Sequence, residues 1–353
     1  MSERIRNQAG RTGGLSGRPV TRRSVLGVSV ALGAGLTAGV PGIIGRASAA
    51  AVTMRFGSDS PLDSAHTKSA VVLKELVESR TSGRVQVTIF PDGQLGGSGP
   101  MMNSVKTGSL DAVVADMSTI SAAVPEADVF NLPFLFKSVE QVLRFANGPF
   151  AQLKPRINES FRCEVLGFAS NGMNNMINGK RPIRTPADIV GLKMAVGPSK
   201  IQRDTVLAFE GTPTVLPITA VYTSLQTGLV DGACKTPDDT VELKLYQVSK
   251  YLTRTKHYSM PNALIVSKRF MDKLSPEDQA IVREAGQPAV EAHVKEVLKG
   301  EEAALALLQE KGIQFFTMED PKAFADKVEA VYKEAANRVG ADLIEEARKL
   351  AAT

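Results

Sequence analysis

Residues 52–90 carry the pattern that most narrows the fold. Val52 to Gly57 alternates apolar and polar side chains as a strand does, and the polar loop Ser58-Asp59-Ser60-Pro61 ends it. Ala70, Leu73, Leu76 and Val77 then recur at helical spacing, with Gly83 as the stop. Val85 to Phe90 is a second strand, rich in β-branched residues. Strand, helix and strand at this length make a βαβ unit, so the chain predicts an α/β fold. At 353 residues it is too long for one small core, and two lobes are expected.

Two lobes need a connection, and Gly172 to Val196 has the composition of one. This stretch leaves a strand pattern at Val165 to Phe168 and passes a polar segment interrupted by Pro182. It caps a short helical turn at Thr185-Pro186-Ala187-Asp188, then enters a strand at Leu192 to Val196. Residues just beyond such strands face a cleft, where small-molecule sites tend to lie. A return crossing is expected in the strand Asn262 to Ser267.

The intervening elements follow the same logic. Pro91 to Pro100 is a Gly-rich turn into a helix with Met101, Met102 and Val105 on one face. Glycines ahead of a helix can cradle a phosphate, but the spacing here matches neither a dinucleotide fingerprint nor a Walker A loop, and a tight turn is the plainer reading. Leu110 to Ala115 is a third strand, and Asp116-Met117-Ser118 lies past its carboxyl end. Asp116 reads either as a ligand contact or as a solvated loop acid. Helices are predicted at Ile201 to Phe209, Ala220 to Thr227 and Val241 to Tyr251, with a short strand at Thr214 to Leu216. Ser275-Pro276-Glu277-Asp278 caps a helix continuing toward Lys311, Ile313 to Phe316 is a short strand, and Pro321 to Leu350 carries terminal amphipathic helices.

The amino end is set apart by its chemistry. Arg22-Arg23 stands directly ahead of a weakly hydrophobic, Gly/Ala-rich run from Val25 to Ile44, and Ala47-Ser48-Ala49 has the small residues of a cleavage site. Residues 1–49 therefore read as a twin-arginine export signal that targets the periplasm, and not as a membrane-spanning anchor. The leader holds seven arginines and one acid, so of 42 bases and 37 acids the remaining 304 residues keep 35 and 36. A nearly neutral mature chain lacks the basic footprint of a nucleic-acid partner. Cys163 and Cys234 have no metal-ligand spacing and read as free and buried.

Catalytic patterns are missing from the sequence. His66, His257 and His293 form no paired-histidine motif, and no Gly-x-Ser-x-Gly elbow occurs. His257, beside Tyr258, reads as a packed or surface histidine and not as a base. Neither a cofactor nor a metal is expected, and binding is favoured over catalysis.

Several motifs, running in order over nearly all of the mature chain, carry a resemblance. They are Phe90-Pro91-Asp92-Gly93-Gln94-Leu95-Gly96, Leu132-Pro133-Phe134-Leu135-Phe136, Lys180-Arg181-Pro182-Ile183 and Gly191-Leu192-Lys193. Val221-Tyr222 with Leu225 through Gly232, and Leu274 through Gln279, continue the series. Together they resemble the solute-binding proteins of tripartite ATP-independent periplasmic (TRAP) transporters, DctP type. The resemblance implies a periplasmic receptor, two-lobed and α/β, that closes by hinge motion on a ligand, usually a carboxylate, and delivers it to a membrane permease. Lobe I is expected over residues 50–171 and about 258–312, and lobe II over 172–257 and about 313–353. The rivals are a folded-exported, lyase-like periplasmic enzyme and a receptor for a neutral or amine solute.

The resemblance also marks departures. The family arginine that grips the ligand carboxylate falls at Ala195, a second arginine falls near Asn174, and a frequent aromatic near Ile218. The glutamate and asparagine that follow the Asp-Gly pair fall on Cys234 and Lys235. Lys235 either re-supplies the lost charge as a point cation or is a solvated loop lysine beside Asp238 and Asp239. Met101, Met102, Met117, Met173, Met176 and Met194 concentrate near the expected cleft, as an adaptable lining or as core. The candidate ligand contacts are thus Asp116, Met117, Met173, Asn174, Ala195, Ile218 and Lys235.

Overall fold

The computed structural model describes residues 51–353, and the predicted leader over 1–49 lies outside them. Nine strands form one sheet: β1 Val52–Gly57, β2 Val85–Phe90, β3 Ala112–Asp116, β4 Cys163–Asn178, β5 Lys193–Val196, β6 Thr212–Val215, β7 Gly232–Lys235, β8 Tyr251–Ser267 and β9 Gln314–Phe316. The order is β2-β1-β3-β8-β4-β7-β5-β6, with β9 on β8. β1 is parallel to β2 and β3, and β5 is parallel to β6 and β7. Between these two parallel triplets run β4 and β8, antiparallel to each other and to β7 and β3 respectively. The result is a two-lobed α/β fold whose halves share two long central strands.

The helices are α1 Lys68–Arg80, α2 Ser98–Thr107, α3 Met117–Ile120, α4 Val139–Asn147, α5 Lys154–Phe161, α6 Lys200–Ala208, α7 Val221–Gln226, α8 Pro237–Glu242, α9 Lys268–Met271, α10 Pro276–Glu310, α11 Pro321–Lys327, α12 Glu329–Val339 and α13 Ala341–Ala351. At 35 residues α10 is the longest, and it packs on α1, β4 and α8. Ser275 Oγ accepts the Asp278 amide at 3.1 Å and Pro276 occupies the first turn, so the predicted cap starts this helix. Two glycines let α10 approach β4. A Cβ on Gly286 would lie 2.5 Å from Leu166 Cβ, and one on Gly167 would lie 2.9 Å from Val290 Cγ2.

Phe130, Phe136, Phe145 and Phe150 form an aromatic nucleus, with Phe130 edge-on to Phe150 at a centroid distance of 4.7 Å. The terminal helices close over this region. Tyr332 Oη donates to the Pro133 carbonyl at 2.8 Å, and Arg338 pairs with the fully buried Asp128. The Leu132 to Phe136 knot is therefore a packing device held from both sides.

Three expectations are corrected. The strand expected at Val165 to Phe168 runs on to Asn178, so the first part of the supposed polar crossing is ladder. Its Asn and Gly residues disfavour strand, but hydrogen bonding to β8 and β7 overrides that preference. The return strand likewise begins at Tyr251, eleven residues before Asn262. The helix expected over Val241 to Tyr251 is α8 instead. Thr236 Oγ1 caps it by accepting the Asp239 amide at 3.1 Å, and the left-handed Lys244 (φ 54°) follows its end.

Candidate functional site

The parallel triplets point their carboxyl ends at one another, and a cavity of about 310 Å³ lies there. Each strand delivers lining residues just beyond its end: Asp59 after β1, the α2 amino terminus after β2, and Asp116 with Ser118 from β3. From the other triplet come Val196 to Pro198 at the end of β5, Leu216 to Ile218 after β6, and Lys235 at the end of β7. β4 and β8 supply Asn174, Tyr258 and Met260 to the lining. A cavity at such a switch between strand ends is the common ligand position of open α/β sheets.

Of the seven candidates, Asp116, Asn174, Ala195, Ile218 and Lys235 line this cavity. Met117 and Met173 do not: both are buried in the core, as are Met101, Met102, Met176 and Met194. Of the two readings of these methionines, lining or core, their burial supports core, because these side chains sit where apolar packing holds them. Lys235 is the last residue of β7, opposite Asn175 of β4, and pairs with neither Asp238 nor Asp239 among the described residues. It is part of a strand and not of a solvated loop.

The lining has a definite electrostatic character. It holds one base, Lys235, and two acids, Asp59 and Asp116. Burial pushes the Asp116 carboxyl up to about 6; nearby His66 and Lys235 oppose the rise while Asp59 and Asp239 add to it. Asp116 Oδ1, both amide atoms of Asn174, and Ser98 Oγ have no hydrogen-bond partner among the described residues. Asn174 is 1% exposed, so its unpaired amide is an unmet demand, and unmet buried polar groups mark places built to receive something else. One part of the wall is aliphatic, from Ala122, Val196, Val215, Leu216, Ile218 and Val221, while Ser118, Thr119, Gln202 and Tyr258 add polar groups elsewhere in the lining.

In and behind the lining, other polar groups pair with one another, although His66 Nε2, His257 Nε2 and His293 Nδ1 have no hydrogen-bond partner among the described residues. Asn171 bridges three elements: its Nδ2 lies 2.6 Å from His66 Nδ1, and its Oδ1 lies 2.7 Å from His293 Nε2 and accepts from Asn262 Nδ2 at 3.1 Å. His66 Nε2 in turn lies 3.8 Å from Asp59 Oδ1. Gln202 accepts the Gly197 amide at 2.8 Å and donates to Asn131 Oδ1 at 2.8 Å, fixing the turn after β5. Burial pushes the Cys234 thiol up to about 11, so Cys234 is an inert wall. His257 is fully buried at a centroid distance of 4.3 Å from Tyr258, and burial pulls it down to about 3. Among the described residues, no group of acids, histidines and cysteines is arranged to hold a metal.

Sequence reasoning missed Asp59, Gln202, Tyr258 and Met260 as lining residues. For Asp59 the signal was present, since the loop after β1 stands in the same relation to its strand as Asp116 does to β3. Tyr258 and Met260 were not visible, because β8 was read as starting beyond them.

Comparison with known proteins places this geometry. Residues 56–338 match the DctP family, described as bacterial extracellular solute-binding protein, family 7. The 2,3-diketo-L-gulonate-binding periplasmic protein YiaO of Escherichia coli is 30% identical over 280 residues, covering 79% of this chain and 85% of that protein. A TRAP periplasmic solute-binding protein from a Sulfitobacter species, solved with bound β-D-galacturonate, superposes with a TM-score of 0.80 at 28% identity, covering 84% of this chain and 99% of that one. A TRAP periplasmic solute-binding protein from Sulfurospirillum deleyianum, solved with bound succinate, gives a TM-score of 0.82 at 26% identity over 86% of this chain and 100% of that one. None of these relatives lends support to a lyase-like enzyme or to a receptor for a neutral or amine solute. The chain belongs to the DctP family of bacterial extracellular solute-binding proteins.

Proposed function

We propose that this protein is the receptor subunit of a TRAP transporter: it captures a small carboxylate in the cavity between its halves and delivers it to a membrane permease. The observation that carries this reading is the convergence of unpartnered polar atoms of Asp116, Asn174 and Ser98, together with Lys235, on one aliphatic-walled cavity at the carboxyl ends of both parallel triplets. Relatives named for diketogulonate, or solved with galacturonate or succinate, support a carboxylate as the solute class. Asp116, Asn174, Ala195, Ile218 and Lys235 are the proposed contacts, with Lys235 as the carboxylate anchor in place of the arginine that falls at Ala195.

The halves close by bending at the two crossings, near residues 171–172 and 257–258. In support, the β4–β8 ladder shifts register between Ser170 and Met173 and again between Asn174 and Met176, with Gly172 at φ 103°. Such irregularities loosen a ladder locally. Export of the folded chain to the periplasm by Arg22-Arg23 and its apolar run completes the reading.

The test is titration calorimetry and thermal shift of the purified protein with organic acids, followed by recovery of the bound molecule. Binding raises the melting temperature by mass action, and a receptor returns its ligand chemically unchanged. Conversion of the recovered acid, or failure of every acid to bind, overturns the proposal.

A further inference from the structure

We infer, resting on the carboxylate-receptor reading above, that the solute is an aliphatic zwitterion whose carboxylate faces Lys235 and whose ammonium faces Asp116. A plain carboxylate offers acceptors alone, whereas the cavity presents unpartnered acceptors as well as donors: Asp116 Oδ1 and Asn174 Oδ1 beside Asn174 Nδ2 and Ser98 Oγ. The ligand must therefore bring hydrogen-bond donors of its own.

Charge narrows which donors fit. With one base and two acids in the lining, a simple anion leaves the enclosed Asp116 carboxylate unpaired, and a dicarboxylate sets a second negative group toward it. A zwitterion adds no net charge and pairs both ends. Lys235 and Asp116 do not pair with each other within 4.0 Å, so each is free to pair with a ligand group lying between them. A polyhydroxylated acid also brings donors, and Ser118, Thr119 and Tyr258 meet some of them, but the Val196, Val215, Leu216 and Ile218 part of the wall accepts none. An aliphatic body between the two charged ends suits that wall.

The charged groups acting on Asp116 come from several elements: His66 and Asp59 from the segment between β1 and α1, Asp239 from α8, and Lys235 from β7. As pH falls through about 6 the Asp116 carboxyl takes up a proton and its hold on an ammonium lapses.

The experiment titrates the purified protein with aliphatic amino acids in which the ammonium is moved stepwise away from the carboxylate. Each is run beside its des-amino monocarboxylate and the dicarboxylate of the same length. At least one amino acid is expected to bind about tenfold or more tightly than both partners. That preference should disappear in Asp116→Asn and, in the unsubstituted protein, as pH is lowered below about 6. The pH arm keeps the test valid where the variant fails to fold. Monocarboxylates or dicarboxylates binding as tightly as every amino acid would overturn the inference and leave the receptor reading standing. No binding by any acid overturns both.

Discussion

Replacing Lys235 by methionine removes one charge and leaves the apolar stem in place. Lys235 closes β7 opposite Asn175, and its ladder contacts are made by backbone, so the substitution keeps the strand. No ion pair is lost, because among the described residues Lys235 has none. Apo stability should therefore change by no more than about 0.5 kcal/mol, as for substitutions away from paired or tightly packed groups. Binding is another matter. A charge-assisted hydrogen bond contributes about 1.5–3 kcal/mol, which converts to a roughly 10- to 150-fold rise in Kd for the bound acid. Calorimetric titration of wild type and Lys235→Met with the same acid measures this directly. Lys235→Arg, which keeps the charge, should recover part of the loss. A Kd within about twofold of wild type in Lys235→Met would refute the anchor, and the amides at the start of α2 would then be the next group to test.

Three further outcomes are expected. Phe130→Ala, which empties the centre of an aromatic nucleus, should cost about 3–5 kcal/mol in chemical denaturation, and a loss below about 1 kcal/mol would mean that the nucleus collapses onto the gap. Gly286→Val puts a Cβ 2.5 Å from Leu166 and should destabilise by about 1–3 kcal/mol or more through displacement of α10 from β4, read as a lowered melting temperature. Stability should also depend on pH in two limbs. Burial raises Asp116 to about 6, Asp238 to about 7 and Glu242 to about 8, so the folded chain takes up protons that the unfolded chain does not, and stability rises as pH falls from about 8 toward 6. Toward pH 4 those carboxyls are protonated in the unfolded chain as well, so His257 and His293, both pulled down by burial, then make the unfolded chain the better proton binder and stability falls again. Melting temperatures that climb steadily from pH 6 to 8 would contradict the signs, and Glu242→Gln should flatten the alkaline limb.

Local signals were legible where they agreed with the tertiary demand. The β1, α1 and β2 pattern, the Ser275 cap of α10 and the strand expected over Leu110 to Ala115 all emerge from periodicity and capping chemistry that the fold then reuses. The long strands were read short for a physical reason. Asn171, Asn174, Asn175 and Asn178 disfavour strand in isolation, but Asn171 is spent on two histidines and Asn262, and Asn178 Oδ1 accepts the amides of Lys180 and Arg181. The partners of Asn171 are remote in sequence, so no window of neighbours predicts them, whereas Asn178 makes a local turn that ends the strand. The methionines stayed undecided for the converse reason: an adaptable side chain near a cleft and one in the core have the same sequence signature.

The register shifts in β4 tie these threads together. In an uninterrupted strand neighbouring side chains alternate faces, and Asn174 would point away from the face of Asn175 and its partner Lys235. The ladder with β8 instead slips between Asn174 and Met176, and both Asn174 and Lys235 line the cavity. A bulge re-aims a side chain in this way. The family arginine expected near Asn174 is absent, yet a cation stands one strand over, at the end of β7. A lysine reaching in from β7 leaves the Asn174 amide free to offer both a donor and an acceptor, which a guanidinium at that place cannot do. On the proposed reading, an amide beside a point charge in place of a planar cation gives the cavity both a donor and an acceptor at Asn174 to set against the solute.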